Sequence, residues 1–256
     1  MDLLRTARRR SLFSEAIYII LNILLAVALL AVVLAVNVPW PAFGLVLLSK
    51  WRVFAVRLRY WGANIRANMI DAIVGFSVVI FLYAASGDLL TQVSLTALYI
   101  VWLLFIKPRS KRSFVALQAL IGVYYGVGAV VQLSPSWPSS LVVLLVWLIG
   151  YSAARHILSL EHESHINFLS VLWGFILAEI AWLTYHWTIG YQVTSSMQLS
   201  QAAVITTLLT FVADRVYLSF KRDGKIEASS IALPMLLFLA VVALFIFDII
   251  RRDVVL

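Results

Sequence analysis

The chain contains no cysteine. Disulfides, thiol nucleophiles, thiolate-held zinc and cysteine-ligated iron–sulfur clusters are therefore excluded. Charge is scarce as well. Asp, Glu, Lys and Arg make up 12% of the residues, about half the share usual in a soluble domain. Acids are scarcer than bases, at 12 against 20. Several chemical signatures are missing. There is no Gly-x-x-x-x-Gly-Lys phosphate loop and no His-Glu-x-x-His zinc pair. Gly75-Phe76-Ser77-Val78 lacks the second glycine of an intramembrane serine-protease motif. Glu161-His162-Glu163 does not extend into Glu-Glu-x-x-x-Arg, and the last apolar run holds no lysine for a Schiff base.

Apolar residues are what the chain has in excess, at 63% of 256. A water-soluble fold of this length could not hide them, because much of any folded chain stays exposed. Lipid removes the problem. At roughly 20 residues per helical span, the length holds eight or nine spans joined by short loops. The expected architecture is all-α: one integral membrane domain over 1–256, built as a polytopic bundle. Apolar runs place the spans at 16–36, 41–57, 68–86, 89–106, 113–132, 138–154, 165–187, 198–219 and 230–250. The first follows Arg5, Arg8, Arg9 and Arg10 like a signal segment, but at this length it reads as an uncleaved span.

The formal charge of +8 would suggest nucleic acid in a soluble protein. Here it sorts by loop. All Lys and Arg except Arg251 and Arg252 fall in 5–10, 50–66, 107–112, 155 and 215–225, while the alternate loops at 37–40, 86–88, 133–137 and 188–197 hold none. That alternation predicts a cell-membrane protein with a cytoplasmic N-terminus, in contact with lipids and not nucleic acid. Nine spans put Arg251 and Arg252 outside, against the rule. The second span is the weak one. Ala42 to Leu48 is too short to cross alone, so it must extend through Trp51 and Phe54, with Lys50, Arg52 and Arg57 snorkelling.

Three sets of polar residues are candidates for function. Glu179 is the deepest acid, and no Lys or Arg lies at comparable depth in any span. His165, Leu172, Glu179 and His186 recur every seven residues and share a helix face, with Trp182 nearby. Titratable groups at both ends and the middle of one span suit a proton or cation path. They equally suit a protonated acid bonded to a hydroxyl, with two interfacial histidines. A second stripe, Asn64, Asn68, Asp71 and Gly75, forms one face at the basic end of the third span. It either lines an inner vestibule or binds the basic segment before it. The third is a lipid-headgroup interface. Trp51, Phe54, Leu58, Trp61 and Ile65 share a helical face flanked by Arg52, Arg59 and Arg66, as in a helix lying in the interface.

His156, Glu161, His162, Glu163, His165 and Asn167 cluster in one loop, but their spacing matches no metal motif, so no metal or cofactor is expected. Asp214 and Arg215 are adjacent and should face different helices. Asp248 should pair with Arg251 or Arg252. Gly122 and Gly126 read as a helix-packing pair. The leading functional expectation is a membrane protein that binds or moves a small solute or cation through a site centred on Glu179. The alternatives are a structural or assembly subunit, joined to copies of itself or another membrane protein, and an enzyme acting on lipid at the cytoplasmic interface.

Overall fold

The computed structural model describes residues 12–161, 163–186, 190–192 and 197–253. Arg5 to Arg10, His162 and Ser195 lie outside the described residues, as do the side chains of Asp248, Arg251 and Arg252. Among the described residues, nine principal helices follow one another: α1 Leu12–Ala35, α2 Trp40–Ser49, α3 Trp61–Ala84, α4 Leu89–Val101, α5 Arg112–Leu133, α6 Ser139–Leu160, α7 Ile166–His186, α8 Gln201–Asp223 and α9 Ala228–Asp253. Eight helical stretches are long and apolar enough to cross a membrane, so the chain is a multi-pass membrane protein. Helices satisfy every backbone group internally, which hydrocarbon demands. The loops carry cap and turn residues. Asp88 caps α4 by accepting from the Thr91 N–H at 3.1 Å. Gly224 ends α8 in the left-handed region, at φ 67°.

Several details differ from the sequence expectations. The second helix is not continuous over 41–57: α2 ends at Ser49, and its 10 residues span about 15 Å, half a bilayer core. One further turn follows at Trp51–Phe54, then a 3₁₀ turn at Leu58–Tyr60. The reason is Lys50. It is buried and ion-paired where the helix ends, so it does not snorkel to the surface. The chain then runs back along α3, with the Asn64 amide 3.5 Å from the Val53 carbonyl. The interfacial helix expected over Trp51–Ile65 is consequently two pieces, and Trp61 to Ile65 belong to α3. The break is local, because Phe54 and Trp61 still meet edge to face at 5.2 Å. The third span begins at Trp61 instead of residue 68. The loop after α7 contains a short antiparallel ribbon, β1 Gly190–Gln192 with β2 Gln198–Ser200.

α5 is the hub, packed on α3, α6 and α8. Its glycines permit that: a Cβ on Gly126 would lie 2.8 Å from Ile73 and 3.0 Å from Ile149, and one on Gly122 3.1 Å from Ile70. The tightest crossing joins α6 to α7. There a Cβ on Gly174 would sit 2.8 Å from the Trp147 carbonyl oxygen, and one on Gly150 3.1 Å from the Gly174 Cα. Backbones come this close only where small residues meet. At one end of the bundle the Tyr83 hydroxyl donates to the carbonyls of Val36 and Val38. That charge-poor end and the opposite, basic end frame the site.

Candidate functional site

The polar side chains collect in a belt at the basic end. α3 carries Asp71 on a face turned toward the end of α2. The Lys50 ammonium donates to Asp71 Oδ2, and the Lys107 ammonium reaches the same oxygen at 2.8 Å from the π-helical turn Trp102–Ile106 that extends α4. The Trp102 indole N–H points to Oδ1 at 3.4 Å. Asp71 and Lys50 are each 8% exposed. Within the same region the Tyr99 hydroxyl is buried with no hydrogen-bond partner among the described residues. A Cβ on Gly75 would approach it to 3.3 Å.

The remainder of the second stripe also faces the α2 side. Asn68 donates to the Asn64 carbonyl, and Gly75 abuts Val46. Asn64 and Asn68 thus engage the segment before α3 and α3 itself, while Asp71 also draws in Lys107 and Trp102 from the end of α4. Sequence reasoning did not identify Lys50 or Lys107 as members of the site. The available signal was the lysine at residue 50, set between the apolar run Leu45–Leu48 and Trp51.

The belt continues through α5. Gln118 donates to the carbonyls of Ile106, Lys107 and Arg109, tying α5 to the end of α4. Its amide oxygen meets His156 Nε2 at 2.8 Å. Arg112 then joins three elements: Nε donates to Glu161 at 2.8 Å, and Nη2 donates to the buried Asp214 of α8. Lys221 reaches Glu161 Oε2 at 3.2 Å, and the Tyr217 hydroxyl donates to Glu163 at 2.7 Å. Partial burial opposes ionisation of Glu161, yet the hydrogen bonds and charges of Arg112 and Lys221 outweigh it and hold that carboxyl below the usual carboxylate range. Glu163 is held low by the Tyr217 hydroxyl. Asp214 and Arg215 do diverge. Arg215 is exposed and stacks over Phe211 at 5.1 Å.

Four members of the cluster at the end of α6 are held by neighbours. His156 is bound to Gln118, Glu161 to two cations, Glu163 to Tyr217 and Asn167 to Arg155. Among the described residues no group of His, Asp and Glu is placed to hold a metal ion. The belt is suited to clamping helix ends, with a positive surplus around Lys50 and Lys107.

The α7 stripe lies elsewhere. His165, Leu172, Glu179, Trp182 and His186 are all exposed on the outside of the bundle. Glu179 stands about 20 Å along α7 from Ile166, inside a hydrocarbon layer about 30 Å thick. Among the described residues no hydrogen bond or ion pair holds its carboxyl. Phe175, Ile176 and Leu183 around it are exposed. The Trp182 and His186 rings lie 5.1 Å apart, and His186 Nδ1 meets the Trp182 carbonyl at 2.9 Å. On the basic side of Glu179, α6, α7 and α8 leave an almost wholly apolar cavity of about 160 Å³, lined by Leu172, Trp173 and Ile176 among others. Arg52, Arg59 and Arg66 are exposed on the 51–66 segment. No model of a known protein family matches the chain, and no curated protein or solved structure matches it either.

Proposed function

We propose that this protein is a membrane-embedded assembly subunit, and that the outer face of α7 joins it to a second copy of itself. The observation that carries this reading is Glu179, exposed at membrane depth with no partner among the described residues. A polar group facing hydrocarbon is costly. A neighbouring helix relieves the cost by supplying a hydrogen bond, contributing about 1–2 kcal/mol in model helices and somewhat less in whole proteins. The face is self-complementary: Glu179 supplies a carboxyl and Trp182, one turn on, an indole N–H. A two-fold axis along the membrane normal would set these turns of two α7 helices side by side. The apolar side chains Leu172, Phe175, Ile176 and Leu183 provide the surrounding contact.

A solute or cation path inside one copy would need Glu179 turned inward. With the side chain on the outer surface, such a path belongs only to a junction between copies. Energy transfer between differently labelled copies in liposomes, followed as lipid is added, tests the assembly. Glu179→Gln keeps the hydrogen-bonding group and should associate as wild type does. Glu179→Leu should weaken association up to about tenfold. Wild type that does not self-associate at any dilution overturns the reading.

A further inference from the structure

The cluster at the break after α2 is not electrically complete. Lys50 and Lys107 share one carboxylate oxygen of Asp71, and the other oxygen takes the Trp102 N–H. Formal charges leave the group at +1. Among the described residues no second carboxylate reaches either ammonium. Asp71 lies about 20 Å along α3 from Ala84, short of the roughly 30 Å that a hydrocarbon core measures. The surplus charge is therefore sunk below the basic membrane surface. A charge there is costly, and an anion that meets it lowers the cost. Lys50 cannot reach solvent, whereas the Lys107 side chain is 31% exposed and opens the cluster outward.

The adjoining segment has the chemistry of a headgroup layer. Arg52, Arg57, Arg59 and Arg66 are exposed, and among the described residues none is paired with a carboxylate. Arg59 lies over the Tyr60 ring at 4.6 Å, and Arg66 bonds the Gly62 carbonyl. Beside and between them stand exposed Trp51, Phe54, Leu58 and Tyr60. Aromatic and aliphatic groups need hydrocarbon; guanidinium groups need phosphate. Both are met at once where headgroups join acyl chains.

We propose that Lys107 holds the phosphate of one anionic phospholipid of the cytoplasmic leaflet, with the buried charge of Lys50 behind it and the 51–66 segment lying along its headgroup layer. The lipid supplies the missing negative charge, and it approaches along the partly exposed Lys107 side chain. This goes beyond diffuse anchoring, because it assigns a retained lipid to one defined cation, Lys107. It is independent of the α7 assembly face.

The test uses the full chain in mild detergent. Phosphatidylglycerol, phosphatidylcholine or inorganic phosphate is added at equal phosphate concentration. Lipid retention is read by native mass spectrometry and stability by thermal melting. Phosphatidylglycerol should be retained and should raise the melting temperature, while the other two should do neither. Lys107→Gln leaves the neutral Lys50–Asp71 pair to hold the fold and should cut retention about fivefold, the effect of one basic charge near an anionic lipid. Lys107→Arg should restore it. Equal retention by wild type and Lys107→Gln overturns the site. Equal stabilisation by inorganic phosphate overturns the lipid and identifies a soluble anion. Loss of retention only in the Arg52→Gln, Arg59→Gln, Arg66→Gln triple variant overturns Lys107 in favour of the surface arginines.

Discussion

Replacing Asp71 with asparagine should be among the most damaging single changes in this chain. The substitution keeps the shape but removes the carboxylate that the Lys50 and Lys107 ammonium groups share. Lys107 can turn its 31% exposed side chain toward solvent, but Lys50, at 8% exposure, cannot. Removing one partner of a buried ion pair typically costs about 3–5 kcal/mol, because a charge is left uncompensated. Asp71→Asn should fall in that range. Lys50→Met should cost less, since Asp71 keeps Lys107 at 2.8 Å. The double variant Lys50→Met/Asp71→Leu removes both buried charges. It should be more stable than Asp71→Asn alone, as replacing both partners by apolar groups is often near neutral. Unfolding by a denaturing detergent in mixed micelles gives the free energies, and the cycle gives the coupling. An Asp71→Asn protein within about 0.5 kcal/mol of wild type would refute the reasoning, as would a double variant less stable than both singles.

Other consequences follow from the packing, the pairing and the charge pattern. Gly174→Ala pushes a methyl group against the Trp147 carbonyl at 2.8 Å; a backbone atom cannot step aside, so a loss of about 1–3 kcal/mol is expected in the same unfolding assay. Gly122→Ala meets the Ile70 side chain at 3.1 Å, which can shift, and should cost less. The Glu161 carboxyl is held below its ordinary range by Arg112 and Lys221. Its contribution to stability is therefore present above the unfolded-state pKa and lost as pH falls through the lower folded value; Glu161→Gln should flatten that acid limb of a melting-temperature profile. Cysteines placed at Asp88 and Ser136 should react with an impermeant thiol reagent from outside the cell, and one at Lys111 only after permeabilisation; the reverse pattern would invert the topology.

The helical character was legible because lipid enforces a simple code. Each span must be apolar over its whole length, so the runs stand out against Asn37–Pro41, Ser86–Asp88 and Ser134–Pro138. The break after Ser49 was not legible for the same reason. A lysine beside an apolar run snorkels by default, and nothing near Lys50 in sequence shows that Asp71 and Lys107 will converge on it. That convergence depends on how α3 and α4 pack, which a one-dimensional pattern does not encode. Periodicity placed His165, Glu179 and His186 on one face of α7. It could not say which way that face turns, because α7 is apolar around most of its circumference, and its inward side is chosen by Gly174 against Gly150 and Trp147. Burial of Asp214 beneath Arg112 likewise came from helix packing at long range, although the divergence of Asp214 from Arg215 follows from helical geometry alone.

The central claim is that α7 meets a second copy, and the absence of native cysteine allows it to be mapped directly. Single cysteines placed in turn at Phe168, Leu172, Phe175, Ile176 and Leu183, with Leu24 on α1 as an exposed control, are oxidised in native membranes with Glu179 kept. Disulfide-linked dimers should form strongly at 172, 176 and 183, whose spacing of four and seven follows one helix face, and hardly at 24. Dimers that form equally at every position, at 24 alone, or not at all would contradict the account.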